Sequence, residues 1–265
     1  LEPVEFAPSN PQRVYAGTLT GLLRSDDGGQ SFAPIGGNTW VQAIGVSPLD
    51  PNLLLFGSNA QLRRSTNGGL SSTPITSGLP TNPNAEFLRF EAGGQGLWFG
   101  HLSGLAYSSD AGLTFQAANQ GLTNPPPIPT DLAFGSGGLV FLTAEASGGG
   151  FYRAPAPLQP WLHLGFADGP IVDVLVGGTP GSARIGGTFN GVFVAPQGGK
   201  LSPSAYQADF GTSTQVLARD PLNPGRFLAG GVGAFIDDAK IAVLTNEGQS
   251  VQLALNAFGA GSVQA

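Results

Sequence analysis

The chain has 265 residues, 42 of them glycine and 22 proline, so turn-formers make up about a quarter of it, near the level at which an aperiodic sequence reads as disordered. Hydrophobic residues at 41%, with 17 phenylalanines, exclude disorder, because such a chain collapses to bury them. A net charge of −6 with only two lysines, Lys200 and Lys240, excludes a phosphate-tracking surface and nucleic acid as a partner.

The absence of cysteine excludes disulfides, zinc–thiolate sites and cysteine nucleophiles. No run approaches 18 consecutive apolar residues, so no transmembrane segment is expected. A chain that starts at Leu1 and holds no methionine is expected to have lost its initiator. Removal of a signal peptide would explain this, and so would a fragment of a longer chain.

The first element is a proline-framed turn running into a short strand, Ala7-Pro-Ser-Asn-Pro-Gln-Arg-Val-Tyr-Ala-Gly17. Proline suits such a turn because its φ is preset and it has no ladder N–H to lose. The second element, Gly21-Leu-Leu-Arg-Ser-Asp-Asp-Gly-Gly-Gln-Ser-Phe32, reads as a strand, a glycine turn and an aromatic. Both recur down the chain. Ser47-Pro-Leu-Asp-Pro-Asn-Leu-Leu-Leu-Phe-Gly57 repeats the first, and Gln61-Leu-Arg-Arg-Ser-Thr-Asn-Gly-Gly-Leu-Ser-Ser72 repeats the second. Gly104-Leu-Ala-Tyr-Ser-Ser-Asp-Ala-Gly-Leu-Thr-Phe115 is a third copy of the second element. Gly150-Phe-Tyr-Arg-Ala-Pro-Ala-Pro-Leu-Gln-Pro-Trp161 keeps its apolar frame, and Gly191-Val-Phe-Val-Ala-Pro-Gln-Gly-Gly199 keeps its double-glycine turn. Asp220-Pro-Leu-Asn-Pro-Gly-Arg-Phe-Leu-Ala-Gly230 returns to the first element, and a sixth copy of the second begins at Gly233. The anchors at 21, 61, 104, 150, 191 and 233 lie 40, 43, 46, 41 and 42 residues apart. The first element keeps the same period, about 43 residues over five steps.

Within each period the apolar runs are short and bounded by Gly, Pro, Asn or Asp. In the second repeat they are 41–46, 53–56, 62–64 and the stretch after Ser71. Four short antiparallel strands in some 40 residues make one blade of a β-propeller. Face-to-face blades cover both sides of each sheet, which explains the near-continuous apolar strands and the low charge. The expectation is therefore an all-β fold, a single β-propeller of four-stranded antiparallel blades over 1–265. Six blades are expected, with seven as the alternative, in repeats near 1–40, 41–83, 84–126, 127–169, 170–211 and 212–265. Ser250–Asn256 reads as a strand, and Val263-Gln-Ala265 repeats Val41-Gln-Ala43, so the chain either closes on itself or is cut from a longer one. The proline-rich stretch 121–130 is expected to be a stiff connector and 145–150 a mobile loop.

The second element carries a resemblance. Ser25-x-Asp27-x-Gly29-x-Ser31-Phe32 and Ser108-x-Asp110-x-Gly112-x-Thr114-Phe115 match the Asp-box pattern, also called the bacterial neuraminidase repeat. Ser65-x-Asn67-x-Gly69-x-Ser71 matches in part, with Asn for Asp and Ser72 for the aromatic. The chain thus resembles the Asp-box β-propeller superfamily of sialidases, xyloglucan-degrading hydrolases, sortilin-type domains and the photosystem II assembly propeller. In those families the box hairpin is a structural brace away from the active-site face, its glycine supplying a positive φ and its Asp accepting backbone N–H groups. Its Phe is expected to plug the space between sheets. A calcium site at Asp26 and Asp27 would need further acidic ligands that the spacing lacks, so no metal and no cofactor are expected.

The sialidase signature that this resemblance would require near the N-terminus is missing; Phe151-Tyr-Arg-Ala-Pro155 lies in a hairpin strand of the fourth repeat. Arg63 and Arg64 sit beside a box, on the wrong side for a substrate clamp. A glycosidase needs two carboxylates across a cleft, roughly 5–10 Å apart. Aligning the innermost strands places Asp131 and Asp173 at equivalent positions, where other repeats carry Pro3, Ala43, Phe87 and Val216. Glu86 and Arg89 could join them as catalytic and binding residues, and Trp40 could stack on a sugar. The favoured reading is that these acids end strands, cap exposed amides or meet channel water. His101 and His163 have no metal spacing, and Trp98 and Trp161 are expected to pack inside blades. The functional expectation is a non-catalytic binding or scaffold propeller outside the cytoplasm, acting through its loops on a protein partner or multi-subunit complex. The alternative is a glycoside hydrolase or carbohydrate-binding propeller on extracellular polysaccharide.

Overall fold

The computed structural model describes residues 3–36, 39–145, 149–165, 171–176, 184–188, 191–195, 202–203, 213–220, 222–223, 225–232, 238–245 and 250–258. Of the loop expected over 145–150, Glu145 and Gly150 belong to strands and 146–148 lie outside the described residues, as does the closing triplet 263–265. Among the described residues the only helical element is a three-residue 3-10 turn, Ser136–Gly138; everything else regular is strand.

The strands form four-stranded antiparallel sheets, the blades of an all-β propeller. The first sheet holds β1 (Val4–Ala7), β2 (Asn10–Thr18), β3 (Gly21–Ser25) and β4 (Ala33–Gly36). The second holds β5 (Ala43–Val46), β6 (Leu54–Gly57), β7 (Leu62–Ser65) and β8 (Thr73–Ile75). The third holds β9 (Ala85–Phe90), β10 (Leu97–His101), β11 (Gly104–Ser108) and β12 (Gln116–Ala117). The fourth holds β13 (Ile128–Phe134), β14 (Val140–Glu145), β15 (Gly150–Ala154) and β16 (Leu162–Gly165). The fifth holds β17 (Ile171–Val176), β18 (Arg184–Thr188), β19 (Gly191–Ala195) and β20 (Ser202–Pro203). The sixth holds β21 (Ser213–Arg219), β22 (Phe227–Val232), β23 (Asp238–Thr245) and β24 (Ser250–Phe258). The connector expected over 121–130 ends earlier, because Ile128–Thr130 already belong to β13. Pro129 stands opposite Ala144 beside a bulge, a strand position that tolerates a residue without an N–H.

Contacts group the chain into two compact units, Leu1–Asn119 and Gln120–Ala265. In the first unit the inner strands β1, β5 and β9 neighbour one another in that order; in the second, β13, β17 and β21 do. The first unit has two apolar layers. Tyr15, Leu22, Val41, Ile44, Leu54 and Phe56 fill the space between its first and second sheets. Leu55, Leu62, Leu88, Leu97, Phe99 and Phe115 fill that between its second and third. Residues alternate between the two layers along β6, so a fully buried strand serves both neighbours.

Polar latches join these sheets at their outer strands. Arg24, just before Ser25, donates to the carbonyl of Gly68 in the second sheet at 3.0 Å. Arg64, just before Ser65, donates to the carbonyl of Ala111 in the third sheet, also at 3.0 Å. The same repeat position therefore reaches the same turn position one sheet onward. Arg64→Met keeps the apolar stem and orphans the Ala111 carbonyl, so it is expected to cost about 1–3 kcal/mol in urea unfolding. A neutral Arg64→Met would show that the latch adds nothing.

Candidate functional site

Antiparallel alternation gives every sheet two ends. The inner strands start at one end, beside the hairpins joining second and third strands. The proline-framed turns and the Ser-x-Asx-x-Gly turns stand at the other.

Three of those turns share one hydrogen-bond pattern. Ser25 Oγ donates to Asp27 Oδ1 at 2.6 Å, and Asp27 Oδ1 in turn accepts the Ser31 N–H at 2.9 Å. Ser25 Oγ also accepts the Gly29 N–H at 2.9 Å. Ser108, Asp110, Gly112 and Thr114 repeat this arrangement. In the second sheet Ser65, Asn67, Gly69 and Ser71 do so with one reversal: Asn67 Nδ2 donates to Ser71 Oγ. The fourth residue of each turn is held as well, since Gly28, Gly68 and Ala111 donate to the carbonyls of Gln12, Asn52 and Gln95. The Ser25 hydroxyl, then Ser31, hold the Asp27 carboxyl below the usual carboxylate range. Partial burial pushes the Asp110 carboxyl up, but Thr114, Ser108 and two backbone N–H groups outweigh it and lower its pKa to about 2.

A carboxylate with a depressed folded pKa adds stability that is complete above its unfolded value near 4 and lost as pH falls through about 2. The melting temperature is expected to drop across that window, and Asp110→Asn is expected to flatten the drop. Asn67 shows that an amide fits the turn. An unchanged acid limb in Asp110→Asn would refute the assignment.

Asp26 is engaged by arginine. It pairs with Arg13 at 2.7 Å and Arg24 at 2.9 Å, which together occupy both its oxygens. Among the described residues no group of three or more His, Cys, Asp or Glu side chains could hold a metal ion.

The expected interleaving of the turn aromatics needs one correction. Phe115 is 4% exposed and packs between the second and third sheets, but Phe32 is 41% exposed and plugs nothing. Phe115 fills the layer shared with the sheet before it. Phe32 belongs to the first sheet, which has no sheet before it in its unit.

At the opposite end, one register position recurs on the inner strand of each sheet. Ala43, Phe87, Asp131, Asp173 and Val216 stand opposite Gly57, Gly100, Thr143, Gly187 and Gly230. The Pro3 carbonyl accepts from Gly17 in the same way. Asp131 is 7% exposed, and its backbone carbonyl accepts from Thr143 Oγ1 at 3.2 Å. For Asp173 the backbone register is described and the side chain lies outside the described ones. Glu86 is exposed and is the extra residue of a bulge opposite Gly100 and His101. Arg89 reaches Glu5 at 3.3 Å, joining the inner strand of the third sheet to that of the first, and lies 6.0 Å from the Phe87 ring. Sequence reading missed Glu5, which lies 84 residues from Arg89 and carries no motif.

Trp40 is exposed at this end, while Trp98 and Trp161 are buried. Trp98 Nε1 donates to Glu91 Oε1 at 3.1 Å. Burial, followed by Glu91, raises the Tyr107 hydroxyl to about 12. His101 is buried, which lowers its pKa to about 4 and keeps it neutral, and its Nδ1 accepts the Ser103 N–H. Gln42 Oε1 is buried without a hydrogen-bond partner. Arg63 is bound to Ser72 and Gln61 at the side of its sheet.

No known family matches the chain, and no curated protein does. Solved structures do resemble it. YCF48 bound to a D1 peptide is similar over 95% of this chain and 81% of that one, with a TM-score of 0.69 and 13% identity. YCF48 from Cyanidioschyzon merolae is similar over 97% and 86%, with a TM-score of 0.67 and 12% identity. The GH74 xyloglucanase from Xanthomonas campestris matches 95% of this chain with a TM-score of 0.72 and 18% identity. The chain spans only 45% of that enzyme's length. At such identities the likeness defines the fold, a β-propeller, and no helix among the described residues is long and apolar enough to cross a membrane.

Proposed function

We propose that the chain is a non-catalytic binding or scaffold β-propeller of the Asp-box type with six blades. It acts outside the cytoplasm and engages a protein partner or multi-subunit complex through its loops. The observation that carries this reading is where the cationic side chains go. Arg13 and Arg24 hold Asp26, Arg24 and Arg64 latch neighbouring sheets, Arg63 holds Ser72, and Arg89 holds Glu5. These five arginines serve the fold, whereas apolar side chains project from the connecting turns. The size-matched neighbour with a bound peptide supports the same reading.

Cross-linking in cells, followed by purification from the envelope and soluble fractions, tests it. A stoichiometric protein complex in the extracytoplasmic fraction is the expected result. Purification of the chain alone under cross-linking would refute it.

A second reading, a glycoside hydrolase, is favoured by one observation: Asp131 and Asp173 stand at the same register position on adjacent inner strands. It requires release of reducing ends from a polysaccharide such as xyloglucan and loss of that activity in Asp131→Asn and Asp173→Asn.

A further inference from the structure

Turn tips are ordinarily polar, with Gly, Asn, Asp and Ser supplying both conformation and solubility. In the first unit three tips at one end carry leucine instead. Leu49 stands in a proline-framed turn and is 67% exposed, and Leu70 and Leu113 stand in the Ser-x-Asx-x-Gly turns at 64% and 54%. The positions are not arbitrary, because Leu70 and Leu113 hold the same place in successive turns, directly before Ser71 and Thr114. Leu222, at the place in the second unit's Pro-Leu-Asn-Pro turn that Leu49 holds in Pro-Leu-Asp-Pro, is 87% exposed. Turn geometry asks for leucine at none of them. The three braced turns are held by their Ser, Asx and Gly, and the first braced turn carries Gln30 in the same place.

The charge around these leucines is arranged in depth. Asp26 stands 48% exposed, while the guanidinium side chains that pair with it, Arg13 and Arg24, are 17% and 19% exposed. Asp50 is exposed beside Leu49, and Asp110 lies three residues before Leu113. Arg64 turns inward to the Ala111 carbonyl. Asp26 and Asp50 therefore face solvent at the tips, with Arg13 and Arg24 beneath Asp26, while Asp110 is half-buried within its turn.

We propose that this end of the first unit is a docking surface for a cationic amphipathic segment of another protein. Its apolar side chains would lie against Leu49, Leu70 and Leu113, and its Lys or Arg side chains would face the turn carboxylates. This rests on the protein-binding reading and names the face and the chemistry of its partner. An anionic lipid surface attracts clusters of Lys and Arg and repels an acidic rim. A second copy of the same face would set like charges against each other. A basic segment meets both the apolar and the acidic requirement.

The probes are a synthetic amphipathic helix of leucine and lysine, its leucine–glutamate counterpart, and vesicles of phosphatidylcholine with and without phosphatidylserine. The chain is expected to bind the lysine peptide and not the glutamate peptide, more weakly as salt rises. Leu49→Gln, Leu70→Gln and Leu113→Gln together are expected to weaken that binding about tenfold or more with an unchanged melting temperature. Should the triple variant melt early, Leu70→Gln alone is expected to show a smaller loss at full stability. Three results overturn the proposal: equal binding of both peptides, binding that survives the substitutions, or no binding. Leucine-dependent binding to vesicles, or a leucine-dependent dimer in sedimentation, in place of peptide binding also overturns it. A cellular partner that stays on the triple variant sinks this assignment and leaves the protein-binding reading standing, whereas absence of any partner removes both.

Discussion

Phe115→Ala is expected to destabilise the protein by about 3–5 kcal/mol, and Phe32→Ala by no more than about 0.5 kcal/mol. The two residues hold the same place in the same motif, so sequence alone assigns them equal weight. Phe115 lies among Leu55, Leu62, Leu97 and Phe99, with its ring 6.1 Å from that of Phe99 in an edge-on arrangement. Its N–H also donates to the Ser77 carbonyl at 3.2 Å, so backbone and ring both tie the third sheet to the second. Removing the ring leaves a cavity lined by residues on two sheets that cannot collapse without parting their ladders. Phe32 is 41% exposed, and no sheet precedes its own within the unit. Urea unfolding of both variants checks the contrast, provided that probes of the two units report coincident transitions. Equal losses would show that Phe32 is packed after all.

That contrast marks what the sequence could and could not reveal. Strand positions were legible because each is bounded by local chemistry, such as Pro8 and Pro11, Gly21, and the Ser25–Gly29 turn. Even the inner-strand register was readable, since one strand's apolar frame fixes its partner to within a residue. The hydrogen bonds of the Ser-x-Asp-x-Gly turns are likewise local, spanning at most four residues. The latches were not legible. Arg24 reaches Gly68 across 44 residues and Arg64 reaches Ala111 across 47, and arginine before a serine has no meaning until sheets are stacked. The Glu5–Arg89 pair skips a whole sheet. Leu49, Leu70 and Leu113 fall in turns that the sequence marks, but that three such leucines stand exposed at one end shows only in the folded sheets. Asp131 was legible in position but not in burial, because exposure depends on what surrounds the inner strand.

Gly78→Ala is expected to cost about 4 kcal/mol or more, enough to unfold the joint between the second and third sheets. Two constraints meet at this residue. Its φ of +76° is one that side chains with a Cβ rarely adopt. A Cβ there would also collide with the carbonyl oxygen of Phe115, a backbone atom held in place by the neighbouring Ser77–Phe115 hydrogen bond. Gly29 isolates the first constraint from the second: its φ is +92°, and a Cβ would meet nothing within 4 Å. Gly29→Ala is therefore expected to cost only about 1–2 kcal/mol. The difference between the two variants measures the steric term alone, and equal losses in thermal or urea unfolding would refute the clash. The consequence reaches beyond stability. Gly78 sets how closely the second sheet approaches the third, and Leu70 and Leu113 stand on those two sheets. A conservative replacement that relieved the clash by moving the sheets apart would change the spacing of the leucine tips, so peptide binding should fall together with the joint's stability.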